Sequence, residues 1–275
     1  MIKSSFETKR SLGQNFLKNE KIYRFMLEEI SPEKEETIIE IGPGEGILTE
    51  YLAQSGAQIL AIEKDHRLIP ILKAKFKDKK NVIILEEDIL KFEPENHLSP
   101  KNPTEVKSAN FKLIGNIPYY LTSHLLRIVL ENWPKPKLIL FMVQKEVAQR
   151  IIAKPPKMNL LGLAVQFYAE VKVVKNVSRK NFHPTPKVDS SVIKIVPKEQ
   201  NIYSKEFQRN FFQLAHAAFG QKRKQILNSL VHNLKLNKSF ITSKLAEVPI
   251  EPNRRPESLT LEEWEKLTQV FWPEL

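Results

Sequence analysis

The most informative absence from this chain of 275 residues is cysteine, which does not occur at all. Without cysteine the chain has no disulfides, no thiolate metal ligands and no cysteine nucleophile, and it is compatible with a reducing cytoplasm. No apolar run reaches the length of a transmembrane helix, and residues 1–10 lack the apolar core of a signal peptide. We therefore expect a cytoplasmic protein without membrane association.

Acidic residues are the second shortage: 32 Asp and Glu stand against 43 Lys and Arg, a formal charge of +11. Such an excess favours a polyanionic partner, nucleic acid first and an anionic membrane surface second. The imbalance is strong in residues 201–246, where eight Lys or Arg accompany a single acid, Glu206, and apolar residues follow a helical period. We predict a small helical domain that clamps a nucleic-acid backbone through Lys222, Arg223 and Lys224. The alternative is that this triplet is a solvated helix face.

Metal-binding spacings are missing as well. The six histidines form no metal-ligand pattern with acidic residues, and no Ser, His and Asp arrangement points to nucleophilic hydrolysis. We therefore expect chemistry that requires no metal.

Short apolar runs alternate with helical stretches from Thr37 onward, which is the pattern of βαβ units around a parallel sheet. The predicted strands cover residues 37–41, 58–62, 82–85, 111–115 and 138–143, with two more at 171–177 and 190–196. Sheets of this kind bind ligands at the carboxyl ends of their strands. We predict a Rossmann-like domain over residues 1–200 and the helical domain over residues 201–275.

Three strand ends carry residues that suit a nucleoside ligand. Gly42 begins a glycine-rich turn after the first of these strands, where the backbone can approach a ligand closely. A dinucleotide fingerprint would need glycine at position 47, which is Ile47. Glu63, after the second strand, could accept both ribose hydroxyls, and Asp88, after the third, could accept an amine hydrogen from a base. The alternative for each carboxylate is a solvated or capping role.

The fourth strand end carries Asn116, Ile117, Pro118 and Tyr119. An adenine amine is a poor nucleophile because its lone pair is delocalised into the ring. The Asn116 amide oxygen and the Ile117 carbonyl could accept the two amine hydrogens and free the lone pair. Pro118 would hold the Ile117 carbonyl in place, and Tyr119 could stack on the base. This is positioning catalysis; the alternative is an ordinary turn with a packing tyrosine.

Seven segments, in order along the chain, carry a family resemblance: GQNFL (13–17), EIGPGEG (40–46), AIEKD (61–65), NIPY (116–119), FMVQKEV (141–147), FHPTPKVDS (182–190) and AFGQKRKQILNSL (218–230). Together they resemble the ribosomal RNA small-subunit adenine dimethyltransferases. The resemblance implies a seven-stranded class I methyltransferase sheet with a helical C-terminal domain. It also implies S-adenosylmethionine as methyl donor, S-adenosylhomocysteine as product and no metal.

The resemblance assigns the donor site to six residues, one of which, Asn116, would lie next to the transferring methyl group. Asn15 and Leu17 would close over the donor, and Gly42 would lie beneath it. Glu63 would bind the ribose of the donor, and Asp88 would bind its adenine. The assignments of Gly42, Glu63 and Asp88 agree with the roles that the strand ends suggest.

For the target, the resemblance implies that Asn116 lies beside the transferring methyl group, while the target adenine stacks on Tyr119 and contacts Phe182. Two adjacent adenosines in the terminal hairpin loop of small-subunit ribosomal RNA would each be methylated twice. The expected partner is this RNA or a precursor of the small-subunit particle, bound by a monomer. An alternative for Phe182 is burial in the core.

Three other functions remain open at this point. A related large-subunit methyltransferase family, which confers macrolide resistance, shares the pocket motifs, although chain length and the AFGQKRKQILNSL segment favour the small-subunit family. A ribosome-assembly factor without catalysis is the second alternative. A nicotinamide dehydrogenase is the third, and the glycine spacing argues against it.

The chain departs from many relatives at Leu160, Leu161 and Gly162, where Tyr-Gly-Arg is common.

Overall fold

A computed structural model describes residues 15–98, 110–198 and 203–272. Gly13 and Gln14 of the GQNFL segment lie outside them. The strands are β1 (Phe16–Leu17), β2 (Thr37–Ile41), β3 (Gln58–Glu63), β4 (Val82–Glu86), β5 (Phe111–Asn116), β6 (Leu138–Gln144), β7 (Ala169–Val177), β8 (Phe182–His183) and β9 (Ser190–Pro197). The helices are α1 (Glu20–Ile30), α2 (Ile47–Ala53), α3 (Ile69–Lys75), α4 (Glu95–Leu98), α5 (Thr122–Glu131), α6 (Lys145–Ile151), α7 (Leu160–Tyr168), α8 (Lys205–Phe219), α9 (Ile226–Leu234), α10 (Lys238–Glu247) and α11 (Leu261–Phe271).

Seven strands form one sheet in the order β4-β3-β2-β5-β6-β9-β7. Strands β2 to β6 pair in parallel, and β9 is antiparallel to β6. The central strands are apolar on both faces because helices cover both sides of such a sheet, as at Ile38, Ile39 and Leu113. The seven predicted strands are present, and the predicted class I methyltransferase fold is confirmed.

A two-stranded ribbon of β1 and β8 lies apart from the main sheet and was not predicted. Phe16 pairs with His183 and Leu17 with Phe182. The ribbon is extended by the Lys18 N–H, which donates to the Asn181 carbonyl at 2.7 Å. Strands of two residues are too short to show an alternating pattern in the sequence, so periodicity could not reveal them.

The chain forms two compact units whose boundary differs from the predicted one. One unit holds the described residues up to Ala148 together with Glu170–Pro197, and the other holds Gln149–Ala169 together with the described residues from Lys198 onward. The predicted boundary at residue 200 therefore assigns α7 to the wrong unit. The physical reason is burial: Leu163 and Phe167 of α7 belong to the apolar cluster of Phe211 and Trp264.

The second unit is helical and contains two helices, α10 and α11, that the sequence interpretation did not resolve. Thr260 caps α11, and Glu263 closes the capping box by accepting from the Thr260 N–H at 2.8 Å. Trp264 and Leu267 of α11 are buried and dock this helix on the unit. Among the described residues, no helix has both the length and the apolar character to cross a membrane.

Candidate active site

A pocket opens at the carboxyl ends of β2, β3, β4 and β5. Its volume is about 800 Å³, which includes the open space at its mouth. Its wall includes residues that end or follow these strands: Gly42, Glu63, Asp88 and Asn116. Parallel strands bring their carboxyl ends to one edge of a sheet, so four residues spread over 75 positions of sequence meet at one site. The predicted convergence at the strand ends is therefore found in the fold.

The glycine-rich turn between β2 and α2 lines the pocket with Gly42 and Gly44. Gly42, Gly44 and Gly46 all have positive φ angles, a region that side chains other than glycine disfavour. A Cβ added at Gly42 would meet nothing within 4 Å, so the backbone there borders open space in the pocket. A Cβ at Gly44 would lie 2.8 Å from the ring of Phe16. Glycine at position 44 therefore lets the Phe16 ring lie directly against the turn.

Glu63 ends β3, and backbone amides hold both of its carboxylate oxygens. The Gly44 N–H donates to Oε2 at 3.2 Å and the Asp65 N–H donates to Oε1 at 2.8 Å. Burial raises the pKa of Glu63, and these hydrogen bonds offset part of that rise. Each oxygen keeps a lone pair for another donor. The side chain is thus a rigid pair of acceptors, suited to two neighbouring hydroxyl groups.

Asp88 follows β4 at the rim of the pocket. The Lys64 ammonium donates to Oδ2 at 2.7 Å, and the Leu90 N–H donates to Oδ1 at 3.1 Å. Burial alone would raise the pKa of Asp88, but the hydrogen bonds from Lys64 and Leu90 and the nearby lysine charges lower it overall. Asp88 is therefore an ionised acceptor at neutral pH, with lone pairs available to an amine.

Asn116 ends β5, and its amide has a fixed direction. Nδ2 donates to the Asn15 carbonyl at 2.9 Å, so the amide nitrogen is engaged and Oδ1 is the free end. No group in the described part of the chain donates to Oδ1. The next residue, Ile117, donates its N–H to the Met142 carbonyl at 3.0 Å. Within the described ranges the Ile117 carbonyl accepts no backbone hydrogen bond, so the turn carries two available acceptors.

Tyr119 lines the same pocket, two residues after Ile117. Its hydroxyl lies 3.1 Å from the Ser190 hydroxyl, at the start of β9. Burial raises the pKa of Tyr119, which keeps the phenol protonated at physiological pH. The ring is half-buried and is held at both ends, by its backbone in the turn and by Ser190. Pro118 also lines the pocket, between Ile117 and Tyr119.

Comparison with known families identifies the chain. The family model described as "Ribosomal RNA adenine dimethylase" matches residues 5–269, nearly the whole length. The chain belongs to this family. It is therefore an enzyme, an S-adenosylmethionine-dependent ribosomal RNA adenine dimethyltransferase.

Individual members of the adenine dimethylase family are similar over most of the chain. The Ribosomal RNA small subunit methyltransferase A of Dehalococcoides mccartyi strain BAV1 is 40% identical over 263 residues, which cover 96% of this chain and 88% of the relative. The protein of that name from Bacillus pumilus strain SAFR-032 is 40% identical over 274 residues, covering 98% and 93%. The recognised family is thus confirmed.

Solved structures show the same fold. A dimethyladenosine transferase from Plasmodium falciparum superposes with a TM-score of 0.77 at 26% identity, covering 93% of this chain and 97% of that one. The 23S rRNA methyltransferase ErmE superposes with a TM-score of 0.72 at 24% identity, covering 93% and 98%. The second likeness establishes the fold alone, because the identity is low.

The pocket of this family member fits the methyl donor that the family uses. The bare backbone at Gly42 leaves space, Glu63 presents two aligned acceptors for ribose hydroxyls, and Asp88 presents an ionised acceptor for an adenine amine. In the described part of the chain no cluster of three His, Asp or Glu could hold a metal ion.

Two residues expected at the site lie elsewhere. The side chains of Leu17 and Phe182 are buried in one apolar cluster with Ile22 and Val177, and neither lines the pocket. The expectation that Phe182 contacts the target base is therefore not met in this structure. The cause is the β1–β8 ribbon, which pairs Leu17 with Phe182 and directs both into the core.

Four pocket or near-pocket residues escaped the sequence interpretation: Phe16, Glu40, Lys64 and Tyr120. Phe16 and Lys64 line the pocket, and the motifs that contain them, GQNFL and AIEKD, do not by themselves indicate a role for either side chain. Tyr120 is 58% exposed and also lines it. Glu40 is buried at the end of β2, where burial raises its pKa to about 7 against a partial offset from the Thr49 hydroxyl.

The basic triplet lies in the helical unit, in the turn between α8 and α9. Lys222, Arg223 and Lys224 are all exposed, and Arg223 has a φ of 65°. Helix α9 begins at Ile226, so the triplet is part of a turn and not of a helix face, the alternative that the sequence had left open. A turn presents its three side chains in different directions, which suits contact with several phosphates.

Proposed function

We propose that this enzyme transfers methyl groups to the exocyclic amines of two adjacent adenosines in the 3′-terminal hairpin loop of small-subunit (16S) ribosomal RNA, giving dimethyladenosines. The product of each transfer is S-adenosylhomocysteine, and no metal takes part. The proposal includes a monomeric, cytoplasmic enzyme that acts during ribosome biogenesis on the RNA or on a precursor particle. The support is the near-complete match to relatives named Ribosomal RNA small subunit methyltransferase A.

The donor side of the pocket is assigned to Asn15, Gly42, Glu63 and Asp88. Glu63 would hold the ribose and Asp88 the adenine, while Gly42 would lie under the donor. S-Adenosylmethionine supplies, when bound, an electrophilic methyl group on a sulfonium. For Leu17 only a backbone role is proposed, because its side chain is buried in the core.

The observation that carries the proposal is the fixed direction of the Asn116 amide. Because Nδ2 is engaged by the Asn15 carbonyl, Oδ1 is the end that can accept a hydrogen from an incoming amine. The Ile117 carbonyl can accept the second hydrogen, with Pro118 restricting that residue to an extended conformation. Two accepted hydrogens draw the nitrogen lone pair out of conjugation with the ring. The residues thus prepare a nucleophile by position, and the proton of the product amine leaves to water.

Tyr119 supplies the face on which the target base would stack. A tyrosine phenol is neutral at physiological pH, and burial raises the pKa of Tyr119 further, so the ring carries no charge that would repel RNA. Phe182 is assigned to the support of the β1–β8 ribbon rather than to base contact. On the helical unit, Lys222, Arg223 and Lys224 are assigned to RNA phosphates, which explains part of the formal charge of +11.

The test is to incubate the purified protein with radiolabelled S-adenosylmethionine and with unmethylated small-subunit particles or large-subunit RNA in parallel. Dimethyladenosine at two adjacent positions of the small-subunit RNA is the expected product. Label only in large-subunit RNA would support the resistance-type activity instead. RNA binding without label, together with no calorimetric binding of the donor, would support a non-catalytic assembly factor.

A further inference from the structure

Ser190 is buried at the start of β9, and its hydroxyl reaches the pocket side chain Tyr119. The two hydroxyl oxygens are 3.1 Å apart, and the residues are 71 positions apart in sequence. Ser190 has no exposed surface. A buried hydroxyl at this distance from a phenol is a lasting partner, because Ser190 cannot exchange the contact for one with bulk water.

The sheet fixes the position of Ser190 relative to the turn that bears Tyr119. Ser190 pairs with Gln144 of β6, and Asn116 pairs with Met142 of the same strand. The Ile117 N–H also donates to the Met142 carbonyl. Ser190 and the Asn116–Tyr119 turn are therefore anchored to adjacent parts of one central strand, two residues apart.

Asp189, the residue before Ser190, holds the start of β9 through hydrogen bonds of its own. The Asp189 carbonyl accepts from the Lys145 N–H at 3.0 Å, and its carboxylate accepts from the Arg179 N–H at 2.9 Å. The Arg179 guanidinium donates in turn to the Lys187 carbonyl at 3.0 Å. The loop that leads into β9 is thus tied to itself and to the start of α6, so Ser190 has little freedom to move.

We propose that Ser190 is a positioning residue for methyl transfer, which sets the tilt of the Tyr119 ring by holding its hydroxyl. The inference rests on the proposed function, in which the target adenine stacks on Tyr119. A ring fixed only at Cβ can swing about both of its side-chain bonds. A hydrogen bond at the hydroxyl fixes the direction of the Cβ–Oη axis and, because a phenol hydrogen-bonds in the plane of its ring, also favours one rotation of the ring about that axis. The plane of a stacked base decides whether its amine reaches Asn116 Oδ1 and the Ile117 carbonyl together.

Ser191 offers a matched control within the same strand. It is as buried as Ser190, but it points to the opposite side of the strand and donates to Asn176 Oδ1 at 2.8 Å. Ser191→Ala and Ser190→Ala each remove one buried hydroxyl and one hydrogen bond. A general loss of stability should therefore affect both variants alike, and only Ser190→Ala should affect the Tyr119 ring.

Tyr119→Phe removes the same hydrogen bond from its other end and keeps the ring. We expect Ser190→Ala and Tyr119→Phe each to lower kcat by about tenfold, with KM for RNA and the affinity for S-adenosylhomocysteine changed by less than about twofold. The double variant should be no slower than either single variant, because both remove one interaction. Ser191→Ala should retain the wild-type kcat. Equal rates for Ser190→Ala and Ser191→Ala, or multiplying effects in the double variant, would overturn the assignment.

A second measurement judges the contact without RNA turnover. In protein labelled with ¹³C at the tyrosine Cζ, the Tyr119 resonance, identified by its absence from Tyr119→Phe, should shift in Ser190→Ala and stay in place in Ser191→Ala. An unshifted resonance in Ser190→Ala would refute the positioning role. If the wild-type enzyme methylated no ribosomal RNA while the resonance shifted, the proposed function would fail and the contact would stand.

Discussion

The part of the pocket proposed to hold the methyl donor, here called the donor half, and the part proposed to hold the target base, here called the target half, are built in different ways. On the donor half, Glu63 is held by Gly44 and Asp65, which are 19 and 2 residues away in sequence. On the target half, Asn116 is held by Asn15, 101 residues away, and Tyr119 by Ser190, 71 residues away. The donor half is fastened mainly by its own loops, whereas the target half depends on distant parts of the chain. Geometry on the target half is therefore the more sensitive to changes elsewhere.

The largest effect is expected at the target half, from Asn116→Ala. The change removes one amine acceptor and the link to Asn15, so we expect the single-turnover rate to fall by at least about 10²- to 10³-fold. RNA affinity, measured by filter binding, should stay nearly the same because phosphate contacts dominate it. Asn132→Ala, at the exposed end of α5, is the control. Equal losses of affinity and rate would contradict this division between binding and catalysis.

The next effect concerns the buried carboxyl group of Glu40, which interacts electrostatically with Glu63 of the donor half. Burial raises the pKa of Glu40 from 4.5 to about 7, so the folded state favours the protonated form. The wild type should therefore lose stability as pH rises from about 4.5 through 7, by about 3 kcal/mol.

Glu40→Gln mimics the protonated form and should remove most of that loss. The free energy of unfolding, obtained from urea titrations at pH 5 and pH 8, should fall with pH in the wild type and stay nearly level in Glu40→Gln. Glu28→Gln, on the exposed face of α1, should follow the wild type. Parallel pH profiles for wild type and Glu40→Gln would show that Glu40 does not titrate in this range.

A smaller effect is expected from Glu63→Gln on the donor half. In the variant, the amide nitrogen of glutamine would replace one of the two carboxylate oxygens. That nitrogen is a donor and would face the backbone N–H of Gly44 or Asp65, which needs an acceptor. We expect the affinity for S-adenosylhomocysteine, measured by calorimetry, to fall by about thirtyfold, or ~2 kcal/mol. Glu86→Gln is a matched control, since Glu86 is the exposed register partner of Glu63 on β4. Unchanged affinity would remove Glu63 from the donor site.

The smallest effect per residue is expected outside both halves, at the basic turn of the helical unit. Replacing Lys222, Arg223 and Lys224 together by alanine should weaken RNA binding and reduce the slope of log affinity against log salt by about 2–3. The same loss of charge at Lys73, Lys77 and Lys79, which are exposed on the sheet unit, is the control. Equal slopes for the two triple variants would show that the turn is merely solvated.

The contrast between the halves also explains what the sequence could predict. Glu63, Asp88 and Gly42 could be predicted because each lies at or just after the end of a strand that the local sequence pattern locates. The direction of the Asn116 amide could not be found that way, since it depends on Asn15. Phe182 was expected at the target base because the family resemblance implies that contact, and the two-residue pairing that buries it leaves no periodic signal in the sequence.

The domain boundary was missed for a similar reason. Residues 149–169 lie between β6 and β7 in the sequence. Because strands of the sheet precede and follow them, the sequence indicates that they belong to the sheet unit. Their apolar side chains, including Leu163 and Phe167, pack instead with helices that follow Lys198. Hydrophobic pattern shows that a helix is buried, and it does not show against which partner.

The hydrogen bond from Asn116 to the Asn15 carbonyl limits how this chemistry can be transferred to other proteins. Grafting the four residues Asn116 to Tyr119 onto another parallel sheet would reproduce the sequence of the turn and leave its amide free to rotate. A working graft also needs a segment whose carbonyl accepts a hydrogen bond from the asparagine amide, as the Asn15 carbonyl does here. It needs in addition an antiparallel strand with a serine whose hydroxyl reaches the tyrosine hydroxyl, as Ser190 does here. The smallest transferable unit therefore has three parts: the turn with its strand, the segment that carries the carbonyl, and the strand that carries the serine. A design has to transfer all three segments, because the four residues of the turn alone are not enough.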